Sequence, residues 1–352
     1  MTPSNGPVVV FRCDASPALG GGHLSRCLAW LRAIELRGGR GWLVGNVEQW
    51  PRSHWPAERI RTSAVALPNH EVGGRGDLER TIRTAEQVGA SWIVVDTYAW
   101  DNELIDSLGR EVASAVCVFD DDGGRGATHV PAMLVQPGLA VDRRPDPRRR
   151  RGPRFAPLHP IYATLRDRSL AVDRGSTPEA NEVLITLGAT DPRGWGPLVA
   201  ARVLAVWPEA RVRLVGSAHN VPPRVELLPP MPAPQLAQEM IRAHLVVAPP
   251  STTAWELSCL GVPMIGVMTA ENQRPNAEGL RELGLVTVCE HPDEIADALA
   301  RYASLSPEMR RASAERWASV CDGLGAQRLT EELHGARGAS EDRSHALIPV
   351  AS

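Results

Sequence analysis

Short apolar runs alternate with amphipathic stretches along most of the chain. The first run, Val8–Phe11, is β-branched and aromatic, which predicts a strand buried on both faces. Apolar residues then recur at helical spacing from His23 to about Gly38, which predicts a helix. Further runs predict strands at 41–45, 91–96, 115–119 and 130–135. This strand–helix alternation favours a parallel, doubly wound sheet, in which ligands bind beyond the carboxyl ends of the strands.

A second α/β pattern begins at Val183. Its apolar runs predict strands at 183–187, 211–216, 225–228, 245–248 and 263–268, with helical periodicity between them. The polar stretch 173–182 is typical of an interdomain linker. We therefore expect two Rossmann-like domains, at 1–172 and 183–334, with a cleft between them. The polar, small-residue tail 335–352 is expected to be disordered.

The loop after the first strand carries candidate chemistry. Gly20, Gly21 and Gly22 permit a tight turn and close approach of a ligand, and His23 follows at the helix start. Free N–H groups at a helix N-terminus attract anions, and histidine can move a proton near neutral pH. The plainer interpretation is a common strand-to-helix turn with a solvated histidine.

Two loops in the second half are typical of anion sites. Gly188–Asp191 and Ser251–Thr253 each leave a predicted strand and precede a predicted helix. Either loop alone can also be explained as ordinary N-capping. Glu256 follows about one turn into its helix, where a carboxylate can accept hydrogen bonds from two ribose hydroxyls or simply complement the helix dipole. Together these features predict a nucleoside diphosphate site.

The segment 137–158 is rich in arginine and proline and has little apolar periodicity. We expect a long surface loop, whose arginines either are solvated or form a flap over an anionic ligand.

Composition excludes several function classes. The net charge of −3 gives no electrostatic case for nucleic acid or an anionic membrane as partner. All 38 basic residues are arginine, which excludes lysine chemistry. The six cysteines are scattered without a CxxC pair, so no metal site is expected. No signal peptide and no apolar run of transmembrane length is apparent, so we expect a cytoplasmic protein, monomeric or weakly dimeric, with no cofactor.

The order of motifs resembles one family. The segments are FRCD…GGGHLSR, VVDTY, FDDD, YATLR, LGATD, PPSTTAWELSCLGVP and ENQ, between about residues 8 and 290. They are similar to the nucleotide-sugar hydrolases of pseudaminic acid synthesis, which have the GT-B arrangement of two Rossmann-like, doubly wound parallel-sheet domains. Two positions differ from the family pattern: Ala189 replaces a usual glycine, and Thr97 stands where relatives often carry histidine.

The resemblance implies roles for individual residues. His23 would activate water for inverting attack on the anomeric carbon of a UDP-linked amino- or acetamido-deoxy sugar, without metal. Tyr98 and Asn272 would complete the catalytic set. The nucleotide-binding residues implied in this way are Gly188, Ala189, Thr190, Asp191, Leu228, Met231, Ser251, Thr252, Thr253 and Glu256. The sugar-binding residues are Asp14, Gly21, Gly22, Arg26, Asp96 and Gln273.

Two other functions compete with hydrolysis. A glycosyltransferase would use His23 on an acceptor hydroxyl, and tryptophans of the first half could then stack on the acceptor: Trp42, Trp50, Trp55, Trp92 and Trp100. A non-catalytic protein would bind the nucleotide sugar without turnover. A nicotinamide dehydrogenase is disfavoured because the first loop lacks the GxGxxG fingerprint.

Overall fold

The computed structural model describes residues 6–16, 20–46, 64–127, 130–139, 145–174, 182–188 and 191–344. Its first sheet is wholly parallel, with strand order β3-β2-β1-β4-β5-β6-β7. These strands are β1 (Val8–Cys13), β2 (Arg40–Gly45), β3 (Ala64–Ala66), β4 (Trp92–Asp96), β5 (Ala115–Phe119), β6 (Met133–Gln136) and β7 (Arg149–Arg151). The accompanying helices are α1 (Gly22–Leu36), α2 (Arg75–Val88), α3 (Asn102–Glu111) and α4 (Pro160–Leu170).

The second sheet is also parallel, with strand order β10-β9-β8-β11-β12-β13. Its strands are β8 (Glu182–Thr186), β9 (Arg211–Val215), β10 (Val225–Leu228), β11 (Leu245–Ala248), β12 (Met264–Val267) and β13 (Thr287–Cys289). The remaining helices are α5 (Gly196–Val206), α6 (Ala233–Arg242), α7 (Thr252–Leu260), α8 (Arg274–Leu283), α9 (Ile295–Ala303), α10 (Pro307–Ala318) and α11 (Gly325–Ser344). In both sheets, helices cover the inner strands on both faces. This burial explains the continuous apolar runs in the sequence.

Two helices pack across the domain boundaries expected from the sequence. Helix α4, expected to end the first domain, packs on α6 and α7, and its Tyr162 joins the core of the second half. Helix α11, expected to close the second domain, packs on α1, where Leu329 and Leu333 join the core of the first half. A Cβ on Gly325 would lie 2.2 Å from the carbonyl oxygen of Ala156, so the start of α11 needs a glycine for this close approach. The packing units therefore differ from the two segments expected from the sequence: α4 packs with the second sheet, and α11 packs with the first.

The end of the chain also differs from the expectation. Helix α11 continues to Ser344, across the predicted boundary at residue 334. The stretch 335–352 is therefore helical over its first part, and residues 345–352 lie outside the described residues.

The arginine-rich segment is not simply a surface loop. Arg149–Arg151 pair with β6 as an edge strand, and Pro153–Phe155 form a 3₁₀ turn. The guanidinium of Arg149 is buried against the carboxylate of Asp120, and Arg150 Nη2 lies 2.8 Å from an Oε2 atom of Glu332 on α11. These two arginines hold the end of the sheet together, whereas 140–144 lie outside the described residues.

The three first-half tryptophans that the structure describes give no support to acceptor stacking. Trp92 and Trp100 are buried in the core, and the indole N–H of Trp100 donates to Asp77 at 2.7 Å. Trp42 packs at the margin of the same core, beside Arg40. Trp50 and Trp55 lie outside the described residues.

Candidate active site

A cleft lies between the two sheets, where the carboxyl ends of their strands face each other. Its cavity volume is about 420 Å³, which suits a ligand of nucleotide size. The N-terminus of α1 forms one wall and the N-terminus of α7 the other. A Cβ on Gly22 would lie 3.8 Å from the Thr252 hydroxyl, so the two helix N-termini approach each other across the cleft.

His23 lies on the floor of this cleft, in the first turn of α1. Its Nδ1 atom lies 2.9 Å from an Asp96 carboxylate oxygen and 3.1 Å from the Asp96 carbonyl oxygen. With Nδ1–H donated to Asp96, the basic nitrogen is Nε2. Burial alone would lower the pKa of His23, but the charge and hydrogen bond of Asp96 outweigh it and raise that pKa above its ordinary value. His23 thus has a carboxylate partner at Nδ1, and its Nε2 atom is available to accept a proton.

Arg26 holds the Asp96 carboxylate in place. Its Nε atom donates to Asp96 at 2.7 Å, and its Nη1 and Nη2 atoms donate to Asp121 at 2.9 and 2.8 Å. The guanidinium also stacks 4.2 Å from the ring centroid of Phe119. Burial would raise the pKa of Asp96, but Arg26 and His23 lower it far below its ordinary value, so Asp96 stays ionised. Arg26 lines the cleft, and its guanidinium forms bidentate pairs with both carboxylates.

Tyr98 stands over His23 at the rim of the cleft. The two rings meet edge to face with centroids 4.6 Å apart, and the Tyr98 hydroxyl donates to Asp121 at 3.1 Å. Burial and then Asp121 raise the pKa of Tyr98, so its hydroxyl remains protonated. Asn272, from the opposite wall, interacts with the same hydroxyl. Two residues predicted to be catalytic from different halves therefore meet at His23.

The N-terminus of α7 opens into the cleft without a side-chain cap. Ser251 occupies the N-cap position, yet its hydroxyl makes no capping hydrogen bond. Ser251, Thr252 and Thr253 all line the cleft. Capping by Ser251 therefore does not explain this run of hydroxyls, and a helix start of this kind can receive an anion.

Glu256 lines the cleft one turn further along α7 and is only 8% exposed. Burial raises the pKa of Glu256 to about 7, and the facing hydroxyl of Tyr162 opposes that rise. Tyr162 is fully buried and comes from α4. Above pH 7 this carboxyl is mostly ionised and can accept hydrogen bonds from ligand hydroxyls.

The described residues of the loop after β8 lie in two places: Gly188 lines the cleft, and Asp191 contacts the start of α5. Gly188 lines the cleft with a positive φ of 89°. Asp191 does not line the described cleft, because its carboxylate accepts hydrogen bonds from the backbone N–H groups of Trp195 at 3.1 Å and Gly196 at 2.7 Å. Asp191 therefore holds the backbone at the start of α5, in contrast to its predicted contact with a diphosphate. Ala189 and Thr190 lie outside the described residues.

Several other predicted site residues are engaged within the protein. Asp14 accepts from the Thr97 hydroxyl at 2.6 Å and pairs with Arg12 at 2.7 Å, away from the cleft lining. This pairing also explains the threonine in VVDTY. Gln273 lines the cleft, but its amide oxygen accepts from the backbone N–H of Thr269 at 2.9 Å and its nitrogen donates to the Thr269 hydroxyl at 3.0 Å.

Of the remaining predicted residues, three line the cleft and one does not. Gly21, Gly22 and Met231 line the cleft, whereas Leu228 packs against the core.

Within the described part of the chain, His, Cys, Asp and Glu side chains form no group of three that could hold a metal ion. Over the same residues, no helix has the length and apolar character needed to cross a membrane.

Sequence reasoning missed three functional contacts. Asp96 was predicted as a sugar ligand, but it is nearly inaccessible and orients His23. Asp121 joins this network through Arg26, and Tyr162 faces Glu256. The available signal was that VVDTY and FDDD both end predicted strands, because neighbouring parallel strands bring their carboxyl ends together.

Comparison with solved structures identifies the fold. MurG of Acinetobacter baumannii is similar at a TM-score of 0.64 with 12% identity, over 94% of this chain and 99% of that chain. The spinosyn rhamnosyltransferase SpnG, complexed with thymidine diphosphate, has a TM-score of 0.64 with 15% identity, over 93% and 99%. The calicheamicin glycosyltransferase CalG4 has a TM-score of 0.57 with 16% identity, over 95% and 99%.

No protein-family model and no curated protein matches the sequence. The structural similarities confirm the predicted fold class, which is GT-B with two parallel-sheet units and a cleft between them.

Proposed function

We propose that this chain is an inverting glycosyltransferase that takes its sugar from a nucleoside diphosphate sugar. The observation that carries the proposal is the pairing of His23 Nδ1 with Asp96 at the floor of a nucleotide-sized cleft. The similar solved proteins include a rhamnosyltransferase complexed with thymidine diphosphate, which supports the reaction class and a TDP-linked donor. The resemblance of the sequence motifs to UDP-sugar enzymes supports a UDP-linked donor instead.

The proposed reaction is a single displacement. His23 Nε2 accepts the proton of the attacking hydroxyl as its oxygen forms a bond to the anomeric carbon. The bond between that carbon and the diphosphate oxygen breaks, its electron pair leaves with the diphosphate, and the configuration inverts. Asp96 stabilises the imidazolium that forms, as the acidic partner of a base does in other enzymes.

The leaving diphosphate is stabilised by the uncapped N-terminus of α7. This helix start carries the positive end of the helix dipole, and Ser251, Thr252 and Thr253 line the cleft with hydroxyls that can donate to phosphate oxygens. Glu256, one turn further along, is placed to accept from the ribose hydroxyls. The phosphates would then lie near the approach of Gly22 to Thr252, with the sugar at His23.

Hydrolysis is the second candidate function. It is favoured by the order of sequence motifs from FRCD to ENQ, which resembles the nucleotide-sugar hydrolases. The same base would activate water in place of an acceptor hydroxyl. The two reactions would therefore use the same site residues and differ only in the nucleophile.

The test is incubation with a panel of UDP-, TDP-, GDP- and CMP-sugars, followed by anomeric proton NMR, with and without sugar and macrolide acceptors. Glycoside formation only with acceptor supports transfer, whereas free sugar of inverted configuration supports hydrolysis. Retained configuration contradicts the displacement with His23 as base.

One variant separates nucleotide binding from chemistry. His23→Ala is expected to lower kcat about 10²- to 10⁴-fold because the proton acceptor is lost. The dissociation constant of UDP or TDP should remain within about threefold, since the nucleotide binds on the α7 side. Near-full activity of His23→Ala would remove the proposed base, and nucleotide binding with no turnover of any donor would favour the non-catalytic alternative.

A further inference from the structure

A second histidine faces the cleft, outside the catalytic network. His159 lines the cleft at the N-cap of α4, the helix that packs across to the second half. Its Nδ1 atom accepts a hydrogen bond from the backbone N–H of Ile161 at 3.2 Å. Because Nδ1 is an acceptor, the ring proton of the neutral form lies on Nε2.

The surroundings of His159 favour this neutral form. Burial, followed by the charge of Arg32 on α1, lowers the pKa of His159 below its ordinary value. The side chain therefore presents one fixed N–H donor and no charge near neutral pH.

The position of His159 indicates which part of a ligand it meets. Tyr162 is the third residue of α4, so its side chain and that of the N-cap lie on the same end of the helix. Tyr162 faces Glu256, the residue placed to accept from ribose hydroxyls. Leu28 and Ala29 of α1 also line the cleft. His159 thus stands beside the nucleotide end of the cleft.

We propose that His159 binds the nucleotide, donating its Nε2 proton to an oxygen of the ribose or the α-phosphate of the bound nucleoside diphosphate. This inference rests on the proposed function, because it needs a nucleotide in the cleft. Helix α4 then couples the two halves of the molecule at the ligand: its N-cap contacts the nucleotide while its body packs on the sheet unit that holds Glu256.

Two substitutions separate this role from helix capping. His159→Asn keeps an acceptor near the Nδ1 position, and so keeps the cap, but loses the distal donor. His159→Gln places an amide N–H near the Nε2 position but loses the cap acceptor. Each variant therefore removes one of the two functions of the ring.

The measurement is calorimetric binding of UDP and TDP, alongside thermal unfolding. His159→Asn is expected to weaken binding about tenfold with little change in Tm, because one donor to a ligand oxygen is lost. His159→Gln is expected to bind within about threefold of the wild type but with a lower Tm. Wild-type affinity in His159→Asn, or weakening only in His159→Gln, would overturn the inference and leave His159 as a helix cap.

Two further comparisons identify the ligand atom that His159 contacts and distinguish failure of this inference from failure of the proposed function. If His159→Asn also weakens uridine or thymidine, the acceptor is on the ribose; if it weakens only the mono- and diphosphates, the acceptor is a phosphate oxygen. A wild-type protein that binds neither UDP nor TDP would overturn the proposed function together with this inference. Tight wild-type binding that His159→Asn leaves unchanged would overturn this inference alone.

Discussion

At His23, two opposing effects set the pKa of one imidazole. Burial disfavours the charged ring and lowers its pKa, whereas the Asp96 carboxylate favours the charged ring and raises it. Arg26 opposes that rise and Asp121 adds to it, so the pKa of His23 depends on several charged neighbours rather than on Asp96 alone. The net pKa lies above the ordinary 6.5. Because the base must be neutral, we expect kcat/KM to fall as the pH falls through this raised value.

The Asp96→Asn variant tests the source of the raised pKa. Without the carboxylate, burial and Arg26 lower the pKa of His23, so the acidic limb of the kcat/KM profile should move to lower pH. The plateau should fall about 10²-fold or more, because the tautomer and the imidazolium lose their partner. An acidic limb that stays in place, measured from pH 5 to 9, would contradict the assignment of that limb to His23.

Glu256 links ligand binding to stability. Its pKa of about 7 in the fold exceeds its ordinary 4.5, so its stabilising contribution is complete below pH 4.5 and is lost as the pH rises through 7. The difference corresponds to about 3 kcal/mol against folding at alkaline pH.

We expect the Glu256→Gln variant to gain stability relative to the wild type on going from pH 5 to pH 8, because the amide does not ionise. The same variant should bind UDP or TDP at least about tenfold more weakly, since the carboxylate that accepts from ribose is gone. Denaturant unfolding at both pH values, with calorimetry at pH 8, checks both results. A stability difference that does not change with pH would refute the raised pKa.

At the scale of elements, similar strand–loop–helix units serve different purposes. Helix α5 begins under the carboxylate of Asp191, which satisfies two of its backbone N–H groups. Helix α7 begins at Ser251 without a side-chain cap and opens into the cleft. A capped N-terminus gains stability, whereas an uncapped one keeps its donors for a ligand.

Asp191→Ala and Ser251→Ala make a matched test of this difference. Asp191→Ala should cost about 1 kcal/mol of unfolding free energy with nucleotide affinity unchanged, because a cap is lost. Ser251→Ala should change stability by less than about 0.5 kcal/mol and weaken UDP or TDP binding about tenfold, because a ligand donor is lost. Weaker nucleotide binding in Asp191→Ala at unchanged stability would restore the predicted diphosphate role of that residue.

At the scale of the whole molecule, α4 and α11 each pack on the half of the molecule opposite to the sheet that they follow in sequence. Helix α4 follows the first sheet but packs on the second, and α11 follows the second but packs on the first. Each half therefore completes its core with a helix that the order in sequence assigns to the other half.

Leu329→Ala on α11 is expected to destabilise the fold by about 2–5 kcal/mol, because a fully buried leucine in the core of the first half leaves a cavity. The control on the same helix is Glu331→Ala, which breaks an exposed pair with Arg37 and should cost less than about 1 kcal/mol. Equal and small losses in denaturant unfolding would show that α11 contributes little to the first half.

Strand–helix alternation alone determined the α/β class, the two sheets and most inner strands, because strands buried on both faces must be continuously apolar. The strands that it missed, β3, β7 and β13, are three-residue edge strands, which exist only because a neighbouring strand pairs with them. The arginines of β7 carry no apolar signal, and their burial depends on Asp120 and Glu332 from distant segments.

The sequence likewise placed His23 and the Ser251–Thr253 run at helix starts, and motif order brought Glu256, Tyr98 and Asn272 into one site. Only the tertiary structure decided that Asp96 pairs with His23, that Asp191 binds the backbone at the start of α5, and that α4 and α11 each pack on the other half. The physical reason is one of range. Helix and strand signals act between residues a few positions apart, whereas a carboxylate's partner is chosen by whatever the fold brings within hydrogen-bond distance.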